Sequence, residues 1–139
     1  MASGRAALAA LLGLLALAAC DPRKNPAWTL GGEPGLLFTI KQYYELNALE
    51  EGGTCSAPLL EGVSRSRVVE DEPDRFTVDL TYYYRDMIRD DCDALPNAGC
   101  RAIRECQGFA ARSFLVGREK DRLRVLEMSG PKKGRVRQP

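Results

Sequence analysis

Four tyrosines and one arginine have the residue types and predicted positions to bind a small ligand. Two of the tyrosines lie in a predicted helix and two on the covered face of a predicted strand, while the arginine lies in another strand, where its charge suits an anionic group. They predict a candidate pocket for a small apolar or anionic ligand, made by Tyr43, Tyr44, Tyr82, Tyr84 and Arg112. Two alternatives stay open, because aromatic residues at helical spacing usually pack in a core and Arg112 also fits an exposed strand position.

The chain contains no histidine, which restricts the chemistry it can perform. Histidine is the only side chain that titrates near neutral pH without perturbation, and it is the commonest metal ligand. The carboxylates of most interest, Glu45, Glu50, Glu51 and Asp79, have no partner that the sequence reveals, and helix-end glutamates ordinarily face solvent. We therefore predict a non-enzymatic protein without a cofactor or metal. The 20 basic and 19 acidic residues give no general attraction to nucleic acid.

The five cysteines are an odd number, so in an exported protein one of them needs a separate explanation. The other four can pair in three ways. We expect Cys92 to bridge Cys100, closing the loop between two predicted hairpins, and Cys55 to bridge Cys106, tying the helix end to the third strand. A four-cysteine zinc site is the competing interpretation, but no C-x-x-C pair is present and thiols oxidise outside the cytoplasm.

The first nineteen residues have the layout of an export signal. Arg5 supplies a positive charge, residues 6–19 are apolar or small, and small residues precede Cys20. The apolar stretch is shorter than the roughly 20 residues that span a bilayer as a helix. We therefore expect residues 1–19 to be a signal peptide that is removed.

The four residues Leu17-Ala18-Ala19-Cys20 resemble the lipobox of bacterial lipoproteins. This resemblance implies that the Cys20 thiol receives a diacylglyceryl group and that cleavage follows just before it. The alternative is an ordinary secretory signal that leaves a plain thiol; lipidation of Cys20 is favoured because it leaves an even number of cysteines. In enteric members of the family, an aspartate at the position of Asp21 retains the lipoprotein in the inner membrane. We therefore expect a lipid-anchored protein that faces the periplasm, and of the two possible locations Asp21 favours the inner membrane over the outer membrane.

Two flanking segments are predicted to be flexible. Residues 20–35, the lipidated cysteine and a segment rich in proline and glycine, are expected to form a tether. Within it, Trp28 is expected either at the lipid interface or packed on the folded domain. Residues 131–139 are expected to be a basic tail that either touches anionic headgroups or stays solvated: Lys132, Lys133, Arg135 and Arg137 carry its charge.

Residues 36–130 are predicted to form a single α+β domain. Apolar residues at helical spacing, Leu37, Ile40, Tyr44 and Ala48, predict a helix that ends at the glycine pair after residue 51. Four strands follow, at residues 63–69, 75–85, 108–116 and 122–128, and polar turns join them into two hairpins. One helix on a curved four-stranded antiparallel sheet results. This shape is loosely similar to the cystatin-like and NTF2-like shapes, although no motif supports the likeness.

Two functions are consistent with these features. The first is a membrane-anchored, non-enzymatic accessory module that binds an envelope protein, and the second is a binder of a small apolar or anionic ligand between helix and sheet. A deep cavity that holds an unpaired charge would favour the ligand binder, whereas a filled core with an exposed apolar patch would favour the accessory module.

Overall fold

The structure is a computed structural model that describes residues 21–86, 89–90, 102–103 and 106–139, with the backbone alone at 22, 89–90 and 102–103. Cys20, Cys92 and Cys100 lie outside these residues, so the lipidation site and the predicted Cys92 to Cys100 bridge stay predictions. The chain divides between Phe38 and Thr39 into two compact units.

The described part of the first unit contains short turns where a flexible tether was predicted. Two 3-10 turns, Pro22–Lys24 and Pro26–Trp28, follow one another, and the Asn25 side chain accepts a hydrogen bond from the Ala27 N–H at the start of the second. The Trp28 ring packs edge-on against Phe38, with 5.5 Å between ring centroids. Of the two environments predicted for Trp28, the structure shows packing against folded residues.

Helix α1 spans Leu36–Asn47 and turns a buried face toward the sheet. Gly35 precedes it with φ +75°, and a Cβ there would lie 2.9 Å from the Arg23 Cα, so glycine suits this entry. The helix ends about four residues before the predicted end, because Leu49 donates its N–H to the Pro131 carbonyl instead of continuing the helix. Tertiary pairing with the C-terminal segment thus overrides the helical pattern of the sequence.

Four long antiparallel strands form an open sheet in the order β1-β2-β5-β6. They are β1 (Pro58–Asp71), β2 (Arg75–Asp86), β5 (Gln107–Glu119) and β6 (Arg122–Met128). Between β2 and β5, the two-residue strands β3 (Arg89–Asp90) and β4 (Ala102–Ile103) pair in a separate ribbon. The predicted α+β class, with one helix on a four-stranded antiparallel sheet, and both predicted hairpins are confirmed.

Strand β2 shows why the alternation of apolar and polar residues in the sequence predicted a strand with one covered face. Every second side chain from Phe76 to Tyr84 is buried, and the residues between them are only half-buried. Since side chains alternate across a strand, this places one apolar row under α1 and a more polar row on the opposite side of the sheet. We call that opposite side the outer face.

A disulfide joins Cys55, in the turn before β1, to Cys106, just before β5, with Cα atoms 5.7 Å apart. The predicted bridge from the helix end to the third long strand is thereby confirmed. It closes a loop across 51 positions, and loop-closure entropy for that length gives a stabilisation of about 4 kcal/mol.

The C-terminal residues differ from the flexible tail that the sequence predicted. The Lys133 N–H donates to the Asn47 carbonyl (2.8 Å), and the Asn47 side-chain amide bonds both the N–H and the carbonyl of Arg137. Gln138 donates its side-chain amide to the Val125 carbonyl on β6 (3.2 Å). This segment has fixed partners because a single asparagine offers both a donor and an acceptor to its backbone, a pairing that basic composition does not reveal.

Candidate functional site

Arg112 lies on the buried side of β5, directly opposite Leu80 of β2. Only 4 % of the residue is exposed, so its interpretation as an exposed strand residue was wrong. Its guanidinium donates to the Glu50 carboxylate and to the Tyr82 hydroxyl, with Nε to Tyr82 Oη at 2.8 Å and Nη2 to Glu50 Oε1 at 3.1 Å. We call the four side chains of Arg112, Glu50, Tyr44 and Tyr82 the Arg112 cluster.

A short turn after α1 places Glu50 in this cluster. Glu50 and Cys55 exchange backbone hydrogen bonds of 3.1 Å, and the chain between them reverses through three positive φ angles, at Glu51, Gly52 and Gly53. Glu50 therefore points inward, with its side chain 9 % exposed, and the expectation that helix-end glutamates face solvent was wrong for it. Because a carboxylate at a helix C-terminus is disfavoured by the helix dipole, the two glutamates before the glycine pair were a sequence signal that the helix ends earlier.

Two tyrosine hydroxyls complete the coordination of Glu50. Tyr44 and Tyr82 both donate to Glu50 Oε1, at 2.9 and 2.5 Å, and their rings meet edge to face with centroids 5.1 Å apart. Burial, reinforced by the neighbouring Tyr82 hydroxyl and the Glu50 carboxylate, raises the pKa of Tyr44 far above its ordinary value. Burial also raises the pKa of Tyr82. Both phenols therefore stay protonated and act as hydrogen-bond donors.

The remaining guanidinium donors of Arg112 bind backbone carbonyls. Nη1 donates to the carbonyls of Ser129 (2.7 Å) and Pro131 (3.0 Å), and Nη2 donates to that of Leu49. All three guanidinium nitrogens thus have acceptors within the protein, and the charge is balanced by Glu50. Arg112 consequently joins α1, the sheet and the C-terminal segment, and it offers no unused donor to an anionic ligand.

The five residues of the candidate pocket do not share one cavity. Tyr44, Tyr82 and Arg112 come together in the filled cluster. Tyr84 donates to the neighbouring Glu51 carboxylate (3.1 Å), and Tyr43 borders a separate cavity of about 250 Å³ beside β6. At the Arg112 cluster, the space between α1 and the sheet is therefore occupied by protein side chains.

An aromatic pair stands on the outer face instead. Tyr83 of β2 and Phe109 of β5 are direct cross-strand partners with ring centroids 5.2 Å apart, and Phe109 is 72 % exposed, more than any other large apolar side chain in the described residues. Cross-strand aromatic pairs of this kind stabilise a sheet by less than about 1 kcal/mol. Fold stability therefore does not account for leaving Phe109 in solvent.

Beside this pair runs a polar depression that we call the outer groove. Its floor is the small Thr81 and Ala111 pair, which is the next cross-strand pair on the same face of the sheet after the aromatic one. Beyond it, the Ser113 hydroxyl donates to Asp79, and Arg67 lies 3.4 Å from the same carboxylate. The groove has a volume of about 620 Å³, and its lining includes Arg65, Arg67, Asp79, Thr81, Ala111 and Ser113.

None of the helices in the part of the chain that the structure describes is long and apolar enough to cross a membrane. Within the same residues, no three side chains of the His, Cys, Asp or Glu types come together as a metal site would require.

Comparisons with protein-family models, with curated proteins and with solved structures found no match for this chain. The inference of function accordingly starts from the site geometry and from the sequence pattern.

Proposed function

We propose that the chain is a membrane-anchored accessory module of the bacterial envelope, and that its outer face binds a protein partner. The observation that carries the proposal is the contrast between the two sides of the sheet. On the inner side Arg112 is fully paired and the space around it is filled by protein side chains, whereas on the outer side Phe109 projects into solvent beside a groove. Of the two functions consistent with the sequence, this contrast favours the accessory module over the ligand binder.

The chemistry of the outer face indicates the kind of partner surface that fits it. Aromatic and arginine side chains dominate the binding free energy of protein interfaces. Here the Tyr83 and Phe109 pair offers an apolar anchor, and Arg65 and Arg67 border the adjoining groove. Asp79 offsets part of that charge through its contact with Arg67. We infer a partner that presents an apolar side chain flanked by a carboxylate.

Site-specific photocrosslinking in cells tests this docking surface. A photoreactive residue at position 109 should capture one defined protein, and the same residue at Gln42, exposed on α1, is the matched control. Reversing the groove charge with Arg65→Glu and Arg67→Glu should reduce capture from position 109 because the partner carboxylate is repelled. Equal capture from both positions, or capture that ignores the charge reversal, would refute an outer-face interface.

The anchor is a separate part of the proposal, supported by the lipobox resemblance at Cys20 and the odd number of cysteines. Replacing Cys20 with serine removes the thiol that the acyl group needs. Labelling with a radioactive or clickable fatty acid should therefore disappear in Cys20→Ser and persist when the paired residue Cys55 is replaced. Labelling that survives in Cys20→Ser would disprove the lipoprotein assignment without affecting the outer-face proposal.

A further inference from the structure

The C-terminal segment, residues 131–139, carries four basic side chains and no acidic one, on a backbone that the fold holds in place. Asn47 is its main attachment: the Asn47 carbonyl accepts from Lys133, and the Asn47 amide donates to Arg137 O (2.7 Å) and accepts from the Arg137 N–H. Two hydrogen bonds from one buried residue therefore fix where the Arg137 side chain leaves the surface, and a third holds the backbone at Lys133.

The four basic side chains fall into two groups. Lys132 Nζ donates to the Met128 carbonyl (2.8 Å), and Lys133 Nζ lies 3.5 Å from the Glu45 carbonyl in the last turn of α1, where the helix dipole favours a cation. The ammonium groups of both lysines therefore have hydrogen-bond acceptors within the fold. By contrast, Arg135 and Arg137 are exposed and have no ion-pair partner among the described residues.

The surface around the two arginines has mixed polar and apolar character. Val136, between them, is 46 % exposed. Arg122 and Arg124 border the cavity next to Gln138 and Pro139, and Glu119, the one acidic side chain among the described residues that line that cavity, pairs with Arg124 (3.6 Å). A row of cations interrupted by a small apolar side chain matches the anionic headgroup layer of a bilayer, where phosphates meet the first acyl carbons.

We propose that Arg135, Val136 and Arg137 form a docking site for the surface of an anionic phospholipid bilayer. The attachment to Asn47 lowers the conformational entropy that the segment loses on binding, since its backbone is already ordered. The site goes beyond the proposed function, because it needs neither the acyl group nor a protein partner and lies apart from the outer groove.

Hydrogen exchange of the segment tests the proposal on the full chain. The chain is reconstituted into vesicles of phosphatidylcholine alone and of phosphatidylcholine with phosphatidylglycerol. The backbone N–H groups of Arg135 and Val136 have no acceptor among the described residues, so they exchange rapidly unless the bilayer covers them. Attraction of each of the two arginines to the anionic bilayer by about 1 kcal/mol corresponds to hydrogen exchange that is slower by about thirtyfold in the anionic vesicles. High salt should abolish the slowing.

Two double variants separate docking from general charge. Arg135→Gln with Arg137→Gln should remove the slowing without unfolding the chain, because neither guanidinium bonds another described residue. Arg65→Gln with Arg67→Gln removes the same charge from the outer groove and should leave the slowing unchanged. The proposal fails if both vesicle types give equal exchange, if the first double variant retains the slowing, or if inorganic phosphate with neutral vesicles reproduces it.

Discussion

Replacing Arg112 with methionine is the substitution whose consequence the structure specifies most fully. Methionine keeps an unbranched apolar stem of similar reach, so the change removes the guanidinium and leaves little empty volume. What remains is the Glu50 carboxylate with its side chain 9 % exposed and its cationic partner gone. The carbonyls of Ser129 and Pro131 lose their donor at the same time.

The expected cost follows from those losses. Removing one partner of a buried ion pair typically destabilises a protein by about 3–5 kcal/mol, because the other charge is left uncompensated. The Tyr44 and Tyr82 hydroxyls still donate to Glu50, so we expect the lower half of that range, about 3–4 kcal/mol. For a small domain this is a large part of the total free energy of unfolding.

Urea denaturation of the full chain in a non-denaturing detergent, followed by near-UV circular dichroism of the buried tyrosines, measures this cost. The single variant Glu50→Gln and the double variant that combines it with Arg112→Met complete a double-mutant cycle. Since neutralising Glu50 removes the uncompensated charge, the double variant should be more stable than the sum of the single effects predicts, by about 2 kcal/mol. A cost below about 1 kcal/mol for Arg112→Met, or strictly additive effects, would refute the account of a desolvated and mutually dependent pair.

Two further predictions concern the same cluster. Gly130→Ala should lower the free energy of unfolding, measured by urea denaturation, by about 1–3 kcal/mol, because Gly130 has φ +80° and a Cβ there would lie 2.8 Å from Arg112 Nη1. The control Gly134→Ala, where a Cβ would have nothing within 4 Å, should lower it by less than about 0.5 kcal/mol. Equal losses in the two variants would contradict the close packing at Gly130. Burial raises the pKa of Tyr44 and of Tyr82 above the ordinary 10.0, so above about pH 10 the unfolded chain loses protons that the folded chain keeps. The free energy of unfolding should be insensitive to these two tyrosines below that pH and should fall by about 2.7 kcal/mol per pH unit above it. Denaturation at a series of pH values should show a shallower fall when both tyrosines are replaced by phenylalanine. An unchanged slope in that double variant would contradict their raised pKa values.

The architecture could be predicted from the sequence because local patterns determine it. Alternation in β2 identified a strand with one covered face, and the polar turns on either side of the loop identified two hairpins. The bridge from Cys55 to Cys106 followed from placing a helix end beside the start of a strand. The strand and the hairpins need only the spacing of residues within one element or between neighbours, whereas the bridge spans 51 positions and was one of three possible pairings.

The Arg112 cluster and the Asn47 attachment could not be predicted in the same way. Glu50 and Arg112 are 62 positions apart, and Asn47 and Arg137 are 90 apart. Their pairing depends on the exact end of α1 and on the register of β5, and element ends are the least certain part of any pattern. An error of four residues at the end of α1 was enough to place Glu50 on the surface in the sequence-based prediction, so its pairing with Arg112 was not predicted.

The cluster also bears on where this chain can act. Buried ion pairs often contribute less stability than apolar residues of the same size, but they specify which segments meet. Arg112 specifies one junction, where its donors reach Leu49 after α1, Ser129 directly after β6 and Pro131 at the start of the C-terminal segment. Because the interior polar groups are used to fix that segment, we propose that recognition belongs to two solvent-exposed surfaces, the outer face of the sheet and the exposed arginines beyond Pro131.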